Sequence, residues 1–348
     1  VPRACKLVQP EADVTEFEII RRYFAEHGVR RDDVVIGIGD DGAVTRLPPD
    51  RDLVTVVDTL VVGVHFPAET LPEDVGYKAL AVNLSDVAAM GAVPAWATLA
   101  LTLPQADDAW LSAFARGYFE LAEQFNVQLI GGDTTRGPLT ITVQVQGSIS
   151  KGQAVRRSGA QPGDIIYVTG TVGDAGLALR AWQEKLPLPI PHGAYLSARL
   201  HRPTPRCAEG AALRGVATAM IDISDGLAAD LGHILDASGV GATLNLQEIP
   251  LSESFAAVTA AWHEAFTGSE RLRLALTAGD DYELCFTVPE ARREQLEKIF
   301  SEFSCGCRAI GVIEEARGLR LRQHDGALLR LTHEGYDHFA QDPRGDRA

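Results

Sequence analysis

The stretch KALAVNLSDVAAMG (residues 78–91) sets the frame for the whole chain. An apolar run ends there on Asn83-Leu84-Ser85-Asp86 and passes into alanines. The same wording returns where residues 219–223 close on Asp222-Ile223-Ser224-Asp225 ahead of Leu227, Ala228 and Ala229. Each reads as a strand that ends on carboxylates and feeds an Ala-rich helix, and strand ends are where α/β proteins hold ligands. A second echo pairs Gly39-Asp40-Asp41 with Gly279-Asp280-Asp281. No fixed-period repeat runs through the chain, so the echoes point to two related halves and not to an array.

Working outward, a helix is predicted over residues 15–27, where Phe17, Ile20 and Phe24 keep helical spacing and Gly28 supplies a C-terminal stop. Residues 34–38 and 53–57 read as β-branched strands, the second closing on Asp58, and 139–145 alternates as a half-buried strand does. Asp107-Asp108 open an amphipathic helix carrying Trp110, Phe114, Tyr118, Leu121 and Phe125. A polar, basic stretch over 150–163 ends in Pro162-Gly163 and places a domain boundary near residue 150. Beyond it the pattern predicts strands at 164–169, 219–223, 272–276 and 284–288, and helices after Gly173, at 227–237 and at 290–303. A closing hairpin turns at Asp325-Gly326. The expected architecture is α/β (α+β) in two domains, 13–149 and 150–340, with 1–12 and 341–348 frayed.

Composition narrows the function. The 348 residues, 46% hydrophobic, suffice for two cores without disulfide staples. With 47 acidic against 32 basic side chains the net charge is −15, which argues against a nucleic-acid polymer as partner. Five scattered cysteines (Cys5, Cys207, Cys285, Cys305, Cys307) fit a reduced, cytoplasmic protein, since Cys305-Gly306-Cys307 is neither a redox C-x-x-C nor half a zinc ribbon. No apolar run approaches the ~18 residues of a membrane span, and the N-terminal residues show no signal-peptide core.

Gly37-Ile38-Gly39-Asp40-Asp41-Gly42 has the letters of a dinucleotide fingerprint, yet two adjacent carboxylates would repel a pyrophosphate and no helix follows. With Mg²⁺ the loop becomes reasonable, because a hard cation takes carboxylate oxygens and bridges to phosphate. Asp58, Asp86, Asp133, Asp222 and Asp225 follow the same logic at strand ends. Any one of them is explained equally well as a helix cap or turn residue; recurring together without nearby Lys or Arg, they favour metal. Gly131-Gly132-Asp133 offers a backbone that could approach phosphate oxygens, or a simple tight turn. Residues 170–176 lack the Gly-Lys-Ser/Thr of a Walker loop, and the protein-kinase H-R-D and D-F-G set is missing. Arg156-Arg157 is the best-placed basic pair for nucleotide phosphates, with a solvated linker the equal alternative. His65 lies in a mostly apolar segment. Nothing marks a Ser or Cys as an activated nucleophile.

Taken together, these phrases resemble the thiamine-monophosphate kinase family, of the superfamily that includes aminoimidazole ribonucleotide synthetase and selenophosphate synthetase. The matching text is Gly37 to Asp41, Asp58-Thr59-Leu60 with His65-Phe66, the 78–91 stretch, GGDTTRGP (131–138), Arg157-Ser158-Gly159-Ala160, IDISDGL (221–227), DYELCF (281–286) and GYDHF (335–339). The resemblance implies the two-domain aminoimidazole ribonucleotide synthetase-like fold, with a mixed N-terminal sheet pairing across a homodimer and a C-terminal α/β domain. It implies phosphorylation of thiamine monophosphate by ATP, with several Mg²⁺ ions. By motif, Asp41, Asp58, Asp86, Asp133, Asp222 and Asp225 are implied metal ligands; Tyr118, Gly132, Asp133, Arg157 and Ser224 implied ATP contacts; and His65, Asp280 and Tyr336 implied substrate contacts.

Two positions depart from the family pattern. Asp280 stands where relatives often have Glu, and Val56-Val57 precede Asp58 where Ser or Thr is common, so a metal contact at Val57 would use its carbonyl. The acceptor is a phosphate monoester with a second pKa of ~6, largely dianionic at neutral pH, so direct transfer without a phosphoenzyme is expected. The alternatives are a sibling ATP-dependent synthetase, whose reactive Cys is not found in the expected places, and a non-catalytic nucleotide- or metal-binding regulator.

Overall fold

The defining stretch is helical. In the computed structural model, which describes residues 15–262 and 266–330, residues 78–91 fall largely within one 18-residue helix, Pro72–Ala89 (α2). Pro72 stands in its first turn with Glu73 and Asp74, a favourable N-terminus. Alanine and leucine are strong helix formers, and a run that is apolar on every side carries no period to separate strand from helix. Leu80, Leu84, Val87 and Ala88 are all fully buried because α2 is enclosed on several sides. Asp86 therefore sits in the last turn of a helix and does not end a strand, whereas Asp222 does end one. The two echoed phrases share wording but not structure.

Around α2 the N-terminal half is built from α1 (Glu16–Ile19), running on as a π-helical turn Ile20–Ala25, then β1 (Val34–Ile36), β2 (Val44–Thr45), β3 (Arg51–Val61), β4 (Val93–Leu103), α3 (Asp108–Gln124), β5 (Gln128–Arg136) and β6 (Thr140–Ser150). The mixed sheet runs β3-β6-β4-β5, antiparallel except for the parallel β4/β5 pair. Asp58 and Asp133 lie inside β3 and β5, which are longer than the sequence pattern predicts. α2 crosses α3 at close range: a Cβ on Gly117 would stand 1.8 Å from the Glu73 carbonyl oxygen, and one on Gly76 2.1 Å from that of Phe114. Edge strand β3 exposes Leu53 and Val57, the latter 59% accessible.

The C-terminal half comprises β7 (Ile165–Thr169), α4 (Asp174–Glu184), α5 (His192–His201), α6 (Cys207–Ala212), β8 (Ala219–Asp222), α7 (Leu227–Ser238), β9 (Gly241–Asn245), α8 (Glu253–Ala261), α9 (Gly268–Thr277), β10 (Leu284–Val288), α10 (Arg293–Phe300), β11 (Cys307–Glu314), β12 (Gly318–Arg322) and β13 (Leu328–Arg330). Its sheet runs β13-β12-β9-β11-β7-β10-β8, and only β12/β9 is parallel. The predicted strand at 272–276 is helix α9. Leu272, Leu274 and Leu276 alternate like a strand, but Thr267 and Glu270 close a capping box ahead of them and the helix packs on α7 and α4. The predicted 290–303 helix is a 3₁₀ turn at Glu290–Arg292 followed by α10.

α2 joins the halves, packing against α6 and β8 as well as its own sheet. Among the described residues no helix is long and apolar enough to cross a membrane, and Cys207, Cys285, Cys305 and Cys307 are free thiols. The expectations for 1–12, 341–348, Cys5 and Tyr336 fall outside the described residues.

Candidate active site

β8 delivers Asp222 to the end of the C-terminal sheet, and the chain then curls through Ile223-Ser224-Asp225-Gly226 before α7 begins. What shapes the curl is Asp230, one turn into α7. Its Oδ2 accepts the main-chain N–H groups of Ser224, Asp225 and Gly226 at 3.0, 3.0 and 3.1 Å. Three amides converging on one oxygen make a small nest whose acceptor is built in. Burial, and then the charges of Asp222 and Asp225, push the Asp230 carboxyl up to about 8 against the pull of those amides. Nothing in the sequence pattern singles this residue out; the available signal is an acidic residue in the first turn of the helix after IDISDG.

α2 meets this loop from the other half. Ser85 Oγ donates to Asp222 Oδ2 at 2.7 Å in a buried contact. Asp86 stands beside it and is pushed up to about 8 by burial, then by Asp222 and Asp58, with Arg157 acting in the opposite direction. Asp58, from β3, is pushed up to about 6 by burial and then by Asp222 and Asp225. Asp222 is raised by burial first, with Ser85 and Arg157 relieving it. An unperturbed aspartate titrates near ~3.9, so all three carry the signature of desolvated like charges facing one another.

Four carboxylates from two halves of the chain thus converge on one place, with the Arg157 guanidinium acting on two of them. The desolvated like charges of Asp58, Asp86 and Asp222 make a set that fits a cation. Among the described residues, however, no three His, Cys, Asp or Glu side chains form a ready-made metal group. Mg²⁺ is a cation that binds through one or two carboxylates plus substrate phosphates and needs no all-protein cage.

The remaining sequence-derived candidates divide. Arg157 lies in the segment between β6 and β7, exposed, its charge reaching Asp86 and Asp222. Arg156 instead lines a cleft of about 320 Å³ with Gln153, Ser158 and Thr218. Ser224 belongs to the Asp230 nest. Asp41, exposed in the 37–42 segment, and Asp133, exposed on β5, are not among the charges that shift the central aspartates. Val57 is on the same edge strand as Asp58, where alternate carbonyls face away from the sheet. Gly132 is required by its neighbour strand: a Cβ there would lie 1.9 Å from the Leu99 carbonyl oxygen. His65 Nδ1 accepts the Val61 N–H at 3.0 Å, which orients the ring in the turn after β3.

Tyr118 stands apart from the other candidates. It is fully buried, stacked on Phe114 and edge-on to Phe119, and among the described residues its hydroxyl has no hydrogen-bond partner. It packs as a core residue of α3.

Asp280 occupies a loop laced to the carboxylate loop. Its N–H donates to Ser224 O at 2.9 Å, Tyr282 N–H to Ile223 O at 2.8 Å, and Ile223 N–H to Glu283 O at 2.8 Å. Next to it, both carboxylate oxygens of buried Asp281 accept the Gly173 N–H at 2.9 Å, and burial pushes this carboxyl well above the usual range. The Tyr282 phenol is raised by burial, then by Asp280, and also feels Asp58 and Asp222. Asp280 and the aspartate cluster are therefore neighbours. Lys78, Ser85, Asp230 and Tyr282 are parts of the site that the motifs alone do not assign.

Comparisons with known proteins identify the family of the chain. Residues 39–149 match AIR synthase related protein, N-terminal domain, and residues 161–324 match AIR synthase related protein, C-terminal domain. Thiamine-monophosphate kinase of Salmonella typhimurium is 48% identical over 327 residues, covering 93% of this chain and 98% of the relative. A crystal structure of thiamine-monophosphate kinase from Stenotrophomonas maltophilia K279a superposes with a TM-score of 0.78 at 46% identity, covering 85% of this chain and 92% of that one. A structure of AaThiL complexed with AMPPCP and TMP superposes with a TM-score of 0.74 at 32% identity, covering 87% and 92%. With both halves matched and a relative nearly half identical from end to end, the chain belongs to the thiamine-monophosphate kinase family of AIR synthase related proteins.

Proposed function

We propose that this chain phosphorylates thiamine monophosphate with ATP, giving thiamine diphosphate and ADP by direct in-line transfer. The observation that carries the proposal is the convergence of Asp58, Asp86, Asp222 and Asp225 from both halves of the fold on one desolvated place. A site so negative accepts two polyanions only together with cations. The pairing of AMPPCP and TMP in the AaThiL complex supports the same two substrates here.

In this reading Asp58, Asp86, Asp222 and Asp225 hold Mg²⁺, joined by Asp41, Asp133 and the Val57 carbonyl as the substrates bring in further ions. Bound there, Mg²⁺ would supply charge neutralisation between donor and acceptor phosphates and a template for their alignment. Ser85 holds Asp222 to one rotamer, and Asp230 fixes the main chain that carries Ser224 and Asp225. Arg157, Ser224 and the Gly132 backbone take the nucleotide, while His65, Asp280 and Tyr336 take the acceptor. The acceptor phosphate, with its second pKa near ~6, is already a dianion at neutral pH, so no side chain need remove a proton and no protein nucleophile is used.

The same reading divides the chain into a metal- and ATP-binding domain, 13–149, and a domain that completes the site, 150–340, and puts the enzyme in the cytoplasm, in keeping with its free thiols. It also makes the enzyme a homodimer through the N-terminal sheet, since an 11-residue edge strand exposing Leu53 and Val57 is a liability unless covered. Light scattering should return twice the chain mass. The deciding experiment is turnover: the chain with ATP, MgCl₂ and thiamine monophosphate should yield thiamine diphosphate and leave no labelled phosphoprotein from γ-labelled ATP. Nucleotide binding without product would identify a regulator instead.

A further inference from the structure

Lys78 is an unusual residue for its position. It lies in the second turn of α2, 3% exposed, in a helix otherwise enclosed by apolar side chains. A buried ammonium needs a partner, and its partner comes from the other half of the chain: Nζ stands 3.0 Å from Asp280 Oδ1. The same oxygen accepts the Tyr282 hydroxyl at 3.0 Å. His201 offers no competing cation, because burial and then Lys78 itself depress it below its ordinary value.

The backbone beneath this contact is held in place. Asp280 and Tyr282 have φ of 67° and 51°, the left-handed region that side-chain-bearing residues occupy only when their surroundings fix them. The amides of both residues are tied to the carboxylate loop at Ser224 and Ile223. Two donors therefore clamp Oδ1 from opposite halves of the fold, while the Asp280 side chain stays 26% exposed. Both contacts that hold the side chain fall on Oδ1.

We propose that Lys78 and Tyr282 are positioning residues for acceptor choice: by clamping Oδ1 they turn Asp280 so that Oδ2 meets an N–H donor or the cationic ring of the acceptor. The assignment rests on the reading above that Asp280 contacts the acceptor, and it explains how a carboxylate one methylene shorter than the family's usual glutamate is still presented in a fixed direction.

A double-mutant cycle tests it in the full chain, with Lys78→Met and Tyr282→Phe made alone and in an Asp280→Ala background. Lys78→Met should raise KM for thiamine monophosphate about tenfold, the size of a lost charged hydrogen bond, with kcat and KM for ATP within about twofold. Lys78→Arg should recover part of the loss. In the Asp280→Ala background both substitutions should have no further effect. An equal effect with and without Asp280, or a matching rise in KM for ATP, overturns the role. If Lys78→Met does not fold, Tyr282→Phe runs the same cycle with an expected effect of about threefold. Absence of thiamine diphosphate from the unaltered protein would instead defeat the functional reading, and the role of Lys78 with it.

Discussion

Replacing Asp230 by alanine would take one acceptor oxygen from three main-chain donors at once. Of the amides that converge on its Oδ2, that of Gly226 is buried and those of Ser224 and Asp225 partly so. A buried donor left without a partner costs roughly 1–3 kcal/mol, and partly exposed donors recover much of theirs from water, so the loss sums to about 3 kcal/mol. Asparagine keeps an acceptor oxygen of the same reach and should lose less than about 1 kcal/mol. Because Ser224 O also receives the Asp280 N–H, a loosened nest disturbs both the 222–226 loop and the 279–282 loop. Urea unfolding should show the difference between the two variants, amide hydrogen exchange should accelerate at residues 224–226 in the alanine variant, and its turnover should fall at least about tenfold. Equal stability of wild type and Asp230→Ala, or unchanged protection of those three amides, would refute the reasoning.

Three further outcomes are expected. Mg²⁺ with nucleotide should raise Tm, by an amount equivalent to about 2.7 kcal/mol at a hundredfold excess over Kd, and Asp86→Asn should blunt that rise and abolish turnover; an equal rise in both proteins would remove Asp86 from the site. Tyr118→Phe removes a buried hydroxyl that has no partner among the described residues, so it should leave turnover and KM for ATP unchanged and stability equal or higher by up to about 1 kcal/mol, whereas a raised KM for ATP would place Tyr118 at the nucleotide. Asp174 is raised above the ordinary carboxylate range by burial, outweighing its bonds from Ser252 and Thr171. Its unfolded form releases a proton first, so the folded state holds more protons and this group lowers stability as pH rises from ~4 through the folded value. The stability of Asp174→Asn relative to wild type should therefore increase with pH over that window in denaturant titrations, and a constant difference would contradict the shift.

The loop after β8 is legible in the sequence because its parts are local: an apolar strand, then Asp, Ile, Ser, Asp and Gly in succession, with a short-range meaning for each polar residue and the glycine. α2 is not, because a helix buried on all sides erases the periodicity that would identify it, and its Asn-Leu-Ser-Asp phrase borrows the meaning of the one in β8. Asp58 and Asp86 do lie close enough to act on one another although their places in the secondary structure differ from those expected, since like-charge cost depends on where carboxylates meet and not on the elements that bring them. Asp230 and Lys78 escape notice for a different reason. Each acts on a group distant in sequence or on the main chain, and neither interaction leaves a spacing to count. Tyr118 is the reverse case, for its four-residue spacing from Phe114 already marks the apolar face of α3.

One consequence of α2 concerns scale. Lys78 and Ser85 stand seven residues apart on one face, two turns of helix, or about 10.5 Å along the axis. The first is paired with the Asp280 loop and the second with Asp222, so a single rigid rod spans the two ends of the candidate site like a ruler. Enclosed by α3, β3 and α6, that rod cannot stretch or slip without repacking both halves. Acceptors of a different length must therefore be accommodated in the 279–282 loop, where exchanging aspartate for glutamate moves a carboxylate by one methylene and leaves the ruler untouched.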